Sequence, residues 1–219
     1  MMAPKIDLTF PHAWEAEILR GRPLILPPRR FVYPREVEEV ERGALEVMVR
    51  PHALSPANSA GAKAPDPPKE PSSARLKSCP DTEPENGEPF LVTCALGFRD
   101  PAAASGVWAA PNAEEICCVA GGYVYVIDTA APEQFTFLAL RPVLEVRAAA
   151  EAGLLLFVGH RTMVAWGREG QRWESEKLSD EGVTVTGMDG WTLHGMGWSL
   201  MTDKESAFAL DLHTGLRLE

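Results

Sequence analysis

A chain of 219 residues with 45% hydrophobic and 24% charged side chains has the balance of a globular protein that folds in water, which argues against wholesale disorder or a membrane-embedded chain. Lys plus Arg number 21 against 31 Asp plus Glu, a net charge of −10, and an acidic body of this kind repels phosphate backbones, so nucleic acid is not an expected partner. The opening MMAPKIDLTF lacks a long apolar run, and nowhere does the chain approach the ~18 consecutive apolar residues of a membrane span, so the sequence predicts a cytoplasmic protein with no membrane partner.

Residues 1–44 read as an extended N-terminal arm. Six prolines between Met1 and Pro34, in stretches such as LILPPRRFVYP, argue against a regular strand ladder there. Leu24, Ile25, Leu26, Phe31, Val32 and Tyr33 are too apolar to be left in water and are expected to pack on the β domain or on a second subunit. Arg29 and Arg30 beside Phe31 form a small basic cluster open to two readings, a solvated arm or a partner contact. Glu36 to Glu41 reads as a short helical turn or a charged strand edge, stopped by Gly43.

ALEVMV, at about 45–50, alternates as a strand, and FLVTCALGF, at 90–98, is an apolar run rich in β-branched and aromatic residues. The two are expected to pair. Between them, residues 51–89 hold nine prolines and no aromatic residue, so this insertion is predicted to be disordered, acting as a tether or as a polyproline ligand at PDPPKEP. A long insertion within a hairpin is tolerated because loop-closure entropy grows only logarithmically with length.

Residues 99–219 read as a β domain of repeats. Laying VWAAPNAEEICCVAGGYVYVI over EVRAAAEAGLLLFVGHRTMVA without gaps sets Gly121 on Gly159, a period of 38 residues. Ile116 to Val119 then fall on Leu154 to Phe157, and Tyr125 to Ile127 on Met163 to Ala165. QFTFLAL and QRWESEKL supply a fourth strand to each copy, and a looser third copy runs from VTVTGMDG to the end of the chain. Four-stranded units repeating every ~40–50 residues bury their faces only by stacking on one another. The fold class expected is therefore all-β, with four-stranded antiparallel blade-like repeats in a partial or small β-propeller. The ending FALDLHTG is similar to the close of blades in the pyrroloquinoline-quinone-type and WD40-like propeller families. That resemblance covers about residues 107–219 and implies architecture; no quinone-binding or metal-binding pattern accompanies it, so no cofactor is expected. Three copies do not close a ring, and the strands at 45–50 and 90–98 would have to make a fourth.

Of the four cysteines, Cys117 and Cys118 lie in one apolar run, where alternation sends them to opposite faces and denies them a shared metal ion. Cys79 and Cys94 add no disulfide framework. The chain has no GxSxG, phosphate loop, HExxH or CxxC, so no catalytic residue is named. His160 reads as a turn histidine, and Asp128 and Asp211 as turn formers at strand ends. In the third copy Trp191, His194, Trp198 and Asp203 crowd one stretch, and alternation puts His194 and Trp198 on one face with Trp191 opposite. They form either a binding platform or inter-blade packing. Two functions follow: a non-enzymatic interaction or scaffold module for another protein, and a small-molecule binder or enzyme with a pocket near Trp191, His194 and Asp203. Open sheet edges also suggest a homodimer formed through an exposed edge.

Overall fold

The computed structural model describes residues 4–35, 43–52 and 87–218. The charged stretch at 36–41 and most of the Pro-rich insertion lie outside the described residues. Within them the chain forms strands and no helix. The N-terminal part supplies β1 (Lys5–Asp7), β2 (Trp14–Leu19), β3 (Arg30–Tyr33), β4 (Ala44–Pro51) and β5 (Phe90–Ala95). The first copy of the repeat gives β6 (Gly106–Ala109), β7 (Glu115–Ala120), β8 (Tyr123–Asp128) and β9 (Phe135–Phe137). The second gives β10 (Glu145–Ala149), β11 (Leu154–Val158), β12 (Met163–Gly167) and β13 (Gly170–Glu174). The third gives β14 (Val183–Asp189), β15 (Thr192–Ser199), β16 (Lys204–Asp211) and β17 (Arg217–Leu218).

The strands form four blade-like sheets, ordered β2-β4-β5-β3, β1-β6-β7-β8-β9, β10-β11-β12-β13 and β14-β15-β16-β17, here called first to fourth. The gapless alignment survives in three dimensions. β7 and β11 are the second strands of successive copies, β8 and β12 the third, and each runs antiparallel to its neighbour. β4 and β5 pair antiparallel from Ala44↔Ala95 to Val49↔Phe90, so the sequence on either side of the insertion builds one hairpin.

The N-terminal arm departs from what its proline count suggests. β2 adds six antiparallel pairs to β4, β3 runs parallel to β5, and β1 runs parallel to β6. The prolines bound these strands and do not interrupt them: none lies within 5–7, 14–19 or 30–33, and Pro34 follows directly on β3. Phe31 and Tyr33 pack into the core, as expected, whereas Leu24 and Ile25 are fully exposed.

Two hydrophobic clusters stack the sheets. One joins the first, second and third sheets through Trp14, Val47, Phe90, Cys118, Tyr125, Phe157 and Val164. The other fills the space between the third and fourth with Leu156, Val158, Met163, Leu193, Phe208 and Leu210. β11 feeds both, because alternation sends Leu155 and Phe157 to one cluster and Leu154, Leu156 and Val158 to the other. Polar aromatic side chains stitch each junction. Trp14 Nε1 donates to the Glu115 carbonyl at 3.1 Å, and Tyr125 Oη donates to the Ala95 carbonyl at 3.1 Å. Trp166 Nε1 reaches Glu115 Oε2 at 2.9 Å, and Trp173 Nε1 reaches the Leu212 carbonyl at 2.8 Å. A buried indole N–H needs an acceptor, so each bond fixes the register of one sheet on the next. Among the described residues no helix is long and apolar enough to cross a membrane.

Candidate functional site

The fourth sheet buries one face only. Val183, Val185, Leu193, Phe208 and Leu210 turn toward the third sheet. Gly195 belongs to that face because a Cβ there would lie 2.3 Å from the Phe208 ring. Alternation sends His194, Met196 and Trp198 to the opposite, open face, where their partners across β16 are Ala209, Ala207 and Glu205. Thr184 stands beside Met196 and Leu218 beside Ala209, completing that face.

The four residues singled out from sequence do not converge. His194 and Trp198 share the open face but stand four residues, or about 13 Å, apart along β15. Trp191 precedes the strand and stacks on His213, ring centroids 3.7 Å apart and 15° from parallel, while its carbonyl accepts Leu212 N–H at 2.8 Å. Asp203 lies in the turn beyond the far end of β15, at φ 50°. A strand of eight residues, about 25 Å, separates it from Trp191. The four are therefore spread along the sheet and do not meet at one point.

What distinguishes the fourth sheet and its turns is apolar exposure. Of the eleven large hydrophobic side chains exposed among the described residues, six belong to the fourth sheet and its turns. Leu218 is on the open face, Trp191 and Leu216 are in turns at one end, Leu200 and Met201 are in the turn at the other, and Met188, paired with Leu193, is on the side toward the third sheet. Met201 is 93% exposed and Leu200 69%, both at the β15–β16 turn. Around them the charge is negative, with six acids and two bases, Lys204 and Arg217, in residues 180–218. Two of the acids hold turns. Asp180 accepts from Lys177 and from Leu200 N–H, and Asp211 accepts from His213 N–H and Thr214 Oγ1; these bonds pull both carboxyls below the ordinary carboxylate range.

A second feature went unseen in the sequence. The loop leading from β5 to β6 meets β1 and the start of β10 around a crevice of about 200 Å³, lined in part by Lys5, Phe98, Asp100, Ser105, Trp108 and Glu145. Most of its polar groups are engaged. Lys5 pairs with Asp7 at 2.9 Å, Glu145 with Arg147 at 2.6 Å, Asp100 caps Ala102 N–H and Ser105 Oγ accepts Gly121 N–H. Trp108 Nε1 is the one buried side-chain nitrogen or oxygen among the described residues without a partner. No periodicity in the sequence marks this place, because four segments separated in the chain build it.

The titratable groups inside the core do not read as catalytic. Burial pushes the Cys94 and Cys117 thiols well above their ordinary range, away from the thiolate needed for nucleophilic chemistry. Cys94, Cys117 and Cys118 are free and buried. Burial also raises the Glu115 carboxyl, against the lowering effect of the Trp166 indole, and Asp128 across the β7–β8 ladder adds to the rise. Among the described residues no group of three His, Cys, Asp or Glu side chains is placed to hold a metal ion. Fold and surface together define an all-β array of blade-like sheets with an open, apolar, acidic end. The chain matches no known family model and no curated protein sequence.

Proposed function

We propose that this chain is a non-enzymatic protein–protein interaction module, a short run of propeller-type blades that offers the open face of its last sheet to another protein. The concentration of exposed apolar side chains on the fourth sheet carries this reading. Exposed apolar side chains concentrated on one sheet and its turns mark a part of the surface suited to a partner. The likeness to pyrroloquinoline-quinone-type and WD40-like blades is supported by the four-stranded sheets and by the turn at Asp211. There the Asp211 carboxylate accepts from His213 and Thr214, and Gly215, at φ 72°, donates its N–H to the Asp211 carbonyl at 2.8 Å.

Point variants test the reading more cleanly than deletion of residues 1–34, which would remove three paired strands. Leu200→Glu with Met201→Glu changes two exposed turn residues and is expected to leave the thermal melt unchanged. The doubly substituted chain, used as bait in native lysate, is expected to lose a stoichiometric partner that the unsubstituted chain retains. A partner retained in full by a folded double variant overturns the reading.

One observation favours small-molecule binding as a second reading: the unpartnered Trp108 N–H beside the crevice, a donor in want of an acceptor. This moves the candidate pocket away from Trp191, His194 and Asp203. A ligand-dependent thermal shift abolished by Trp108→Phe and unchanged by His194→Ala would favour it.

A further inference from the structure

Building on the interaction reading, we propose that the partner of the open fourth-sheet face is a second copy of this chain, docked through the loop that joins β2 to β3. That loop leads from one edge strand of the first sheet to the other. At its tip Leu24 is 104% and Ile25 89% exposed, so neither touches the rest of the fold. Pro23, Pro27 and Pro28 flank them and restrict the loop before it binds, which lowers the ordering cost of association. Residues 20–30 carry four arginines and no acid, in a chain whose net charge is −10. Arg29 is spent within the fold, stacked over Phe31 and Phe90 and donating to the Glu88 carbonyl at 3.2 Å, which leaves Arg20, Arg22 and Arg30 exposed around the aliphatic tip.

The fourth sheet supplies the complement. Its strands and turns from 180 to 218 carry six acids against two bases, Lys204 and Arg217. On its open face, Ala207 and Ala209 lie beside Met196 and His194, so small side chains leave room for an aliphatic wedge between Trp198 and Leu218. One end of the array thus presents a basic convex apolar tip, and the other a sheet that is net acidic over its strands and turns, with Glu205 on the open face itself. An anionic membrane is the other surface that an Arg-collared aliphatic tip fits, but the acidic body opposes it and residues 20–30 contain no Trp or Tyr to anchor at an interface. The two features sit on different sheets at opposite ends of the stack. Loop-to-face contacts made reciprocally about a two-fold axis close a ring of two chains, whereas the same contact repeated without that axis builds an open chain, which sedimentation separates from a dimer.

Sedimentation velocity on the 219-residue chain tests this. The unsubstituted chain is expected to dimerise, and Leu24→Glu with Ile25→Glu, or Ala207→Glu alone, to raise the dimer dissociation constant at least about tenfold. These positions are exposed, so unchanged melts are expected to show that the variants fold. Mixing the loop variant with the face variant is expected to restore part of the dimer, since one of the two contacts is then intact. Raising salt from about 0.1 M to 1 M, which shortens the screening length from about 10 Å to 3 Å, is expected to weaken it. A chain that stays monomeric, or a dimer that survives both variants, overturns the proposal. So does a monomer whose loop binds anionic vesicles. If the chain is monomeric and Leu200→Glu with Met201→Glu still loses a lysate partner, self-pairing fails while the interaction reading stands; if the dimer forms and no lysate partner is lost, the face serves the second copy alone.

Discussion

Gly121 and Gly159 coincide in the gapless alignment, yet the fold asks different things of them. Gly121 sits at φ 56° in the tight β7–β8 turn, and a Cβ there would lie 2.4 Å from the Phe98 carbonyl oxygen. Gly159 has no left-handed φ; a Cβ at that position would press on the Leu140 side chain at 2.7 Å, which can move. Gly182 is left-handed at φ 80° but has open space around it. Gly121→Ala is therefore expected to destabilise most, by about 1–3 kcal/mol from backbone strain with the carbonyl clash in addition, and Gly182→Ala by the strain alone. Urea melts that rank the two equally would contradict this. Glu115 gives a pH signature. Its folded pKa lies above the unfolded value, so the native state binds the extra proton, and the stability it contributes is lost as pH rises from the ordinary glutamate range through the raised value. Glu115→Gln keeps an acceptor for Trp166 and removes the titration. Melts between pH 4 and 8 are expected to show that downward slope in the unsubstituted chain and a flatter curve in the variant.

At the scale of strands and sheets, the indole bonds that join neighbouring sheets predict an order among tryptophan substitutions. Trp173→Phe strands the Leu212 carbonyl at the third–fourth junction and is expected to cost about 1–3 kcal/mol beyond the lost ring area. Trp108→Phe removes a donor that has no acceptor, so it is expected to cost less. Chemical denaturation of the two variants compares them directly, and a larger loss for Trp108→Phe would mean that its N–H is satisfied in solution. The repeating strands were legible because a period of 38 residues and strand alternation are local facts of the sequence. The hairpin of β4 and β5 was legible because both halves are strongly apolar. The outer strands of the first sheet were not, since a count of prolines says nothing of where they fall, and the parallel pairs β3·β5 and β1·β6 join segments with no common pattern. For the candidate site, alternation correctly put His194 and Trp198 on one face. It could not show that the length of β15 keeps Trp191 and Asp203 apart.

Across the whole molecule, the sheets differ in how many of their faces are covered, and that difference sets an order of opening. β11 and β15 are both central strands, hydrogen-bonded on either side, so ladder bonding alone would protect them equally. Burial separates them. All five residues of β11 are buried, with side chains in both hydrophobic clusters, whereas β15 buries Leu193, Gly195 and Gly197 on one face and turns His194, Met196 and Trp198 outward. Local opening follows the apolar contacts that must be broken, so the fourth sheet is expected to open below the global unfolding free energy while β11 opens only with it. Hydrogen exchange on the Leu24→Glu, Ile25→Glu variant isolates this property of the single chain, and β15 amides are expected to exchange before those of β11. In the unsubstituted chain the same β15 amides are expected to gain protection as concentration rises, because a docked loop covers the second face, while β11 changes little. Equal protection of β15 and β11 in the variant would mean that the fourth sheet is held by more than the cluster it shares with the third. A β15 that ignores concentration in the unsubstituted chain would leave its open face without the second copy proposed for it.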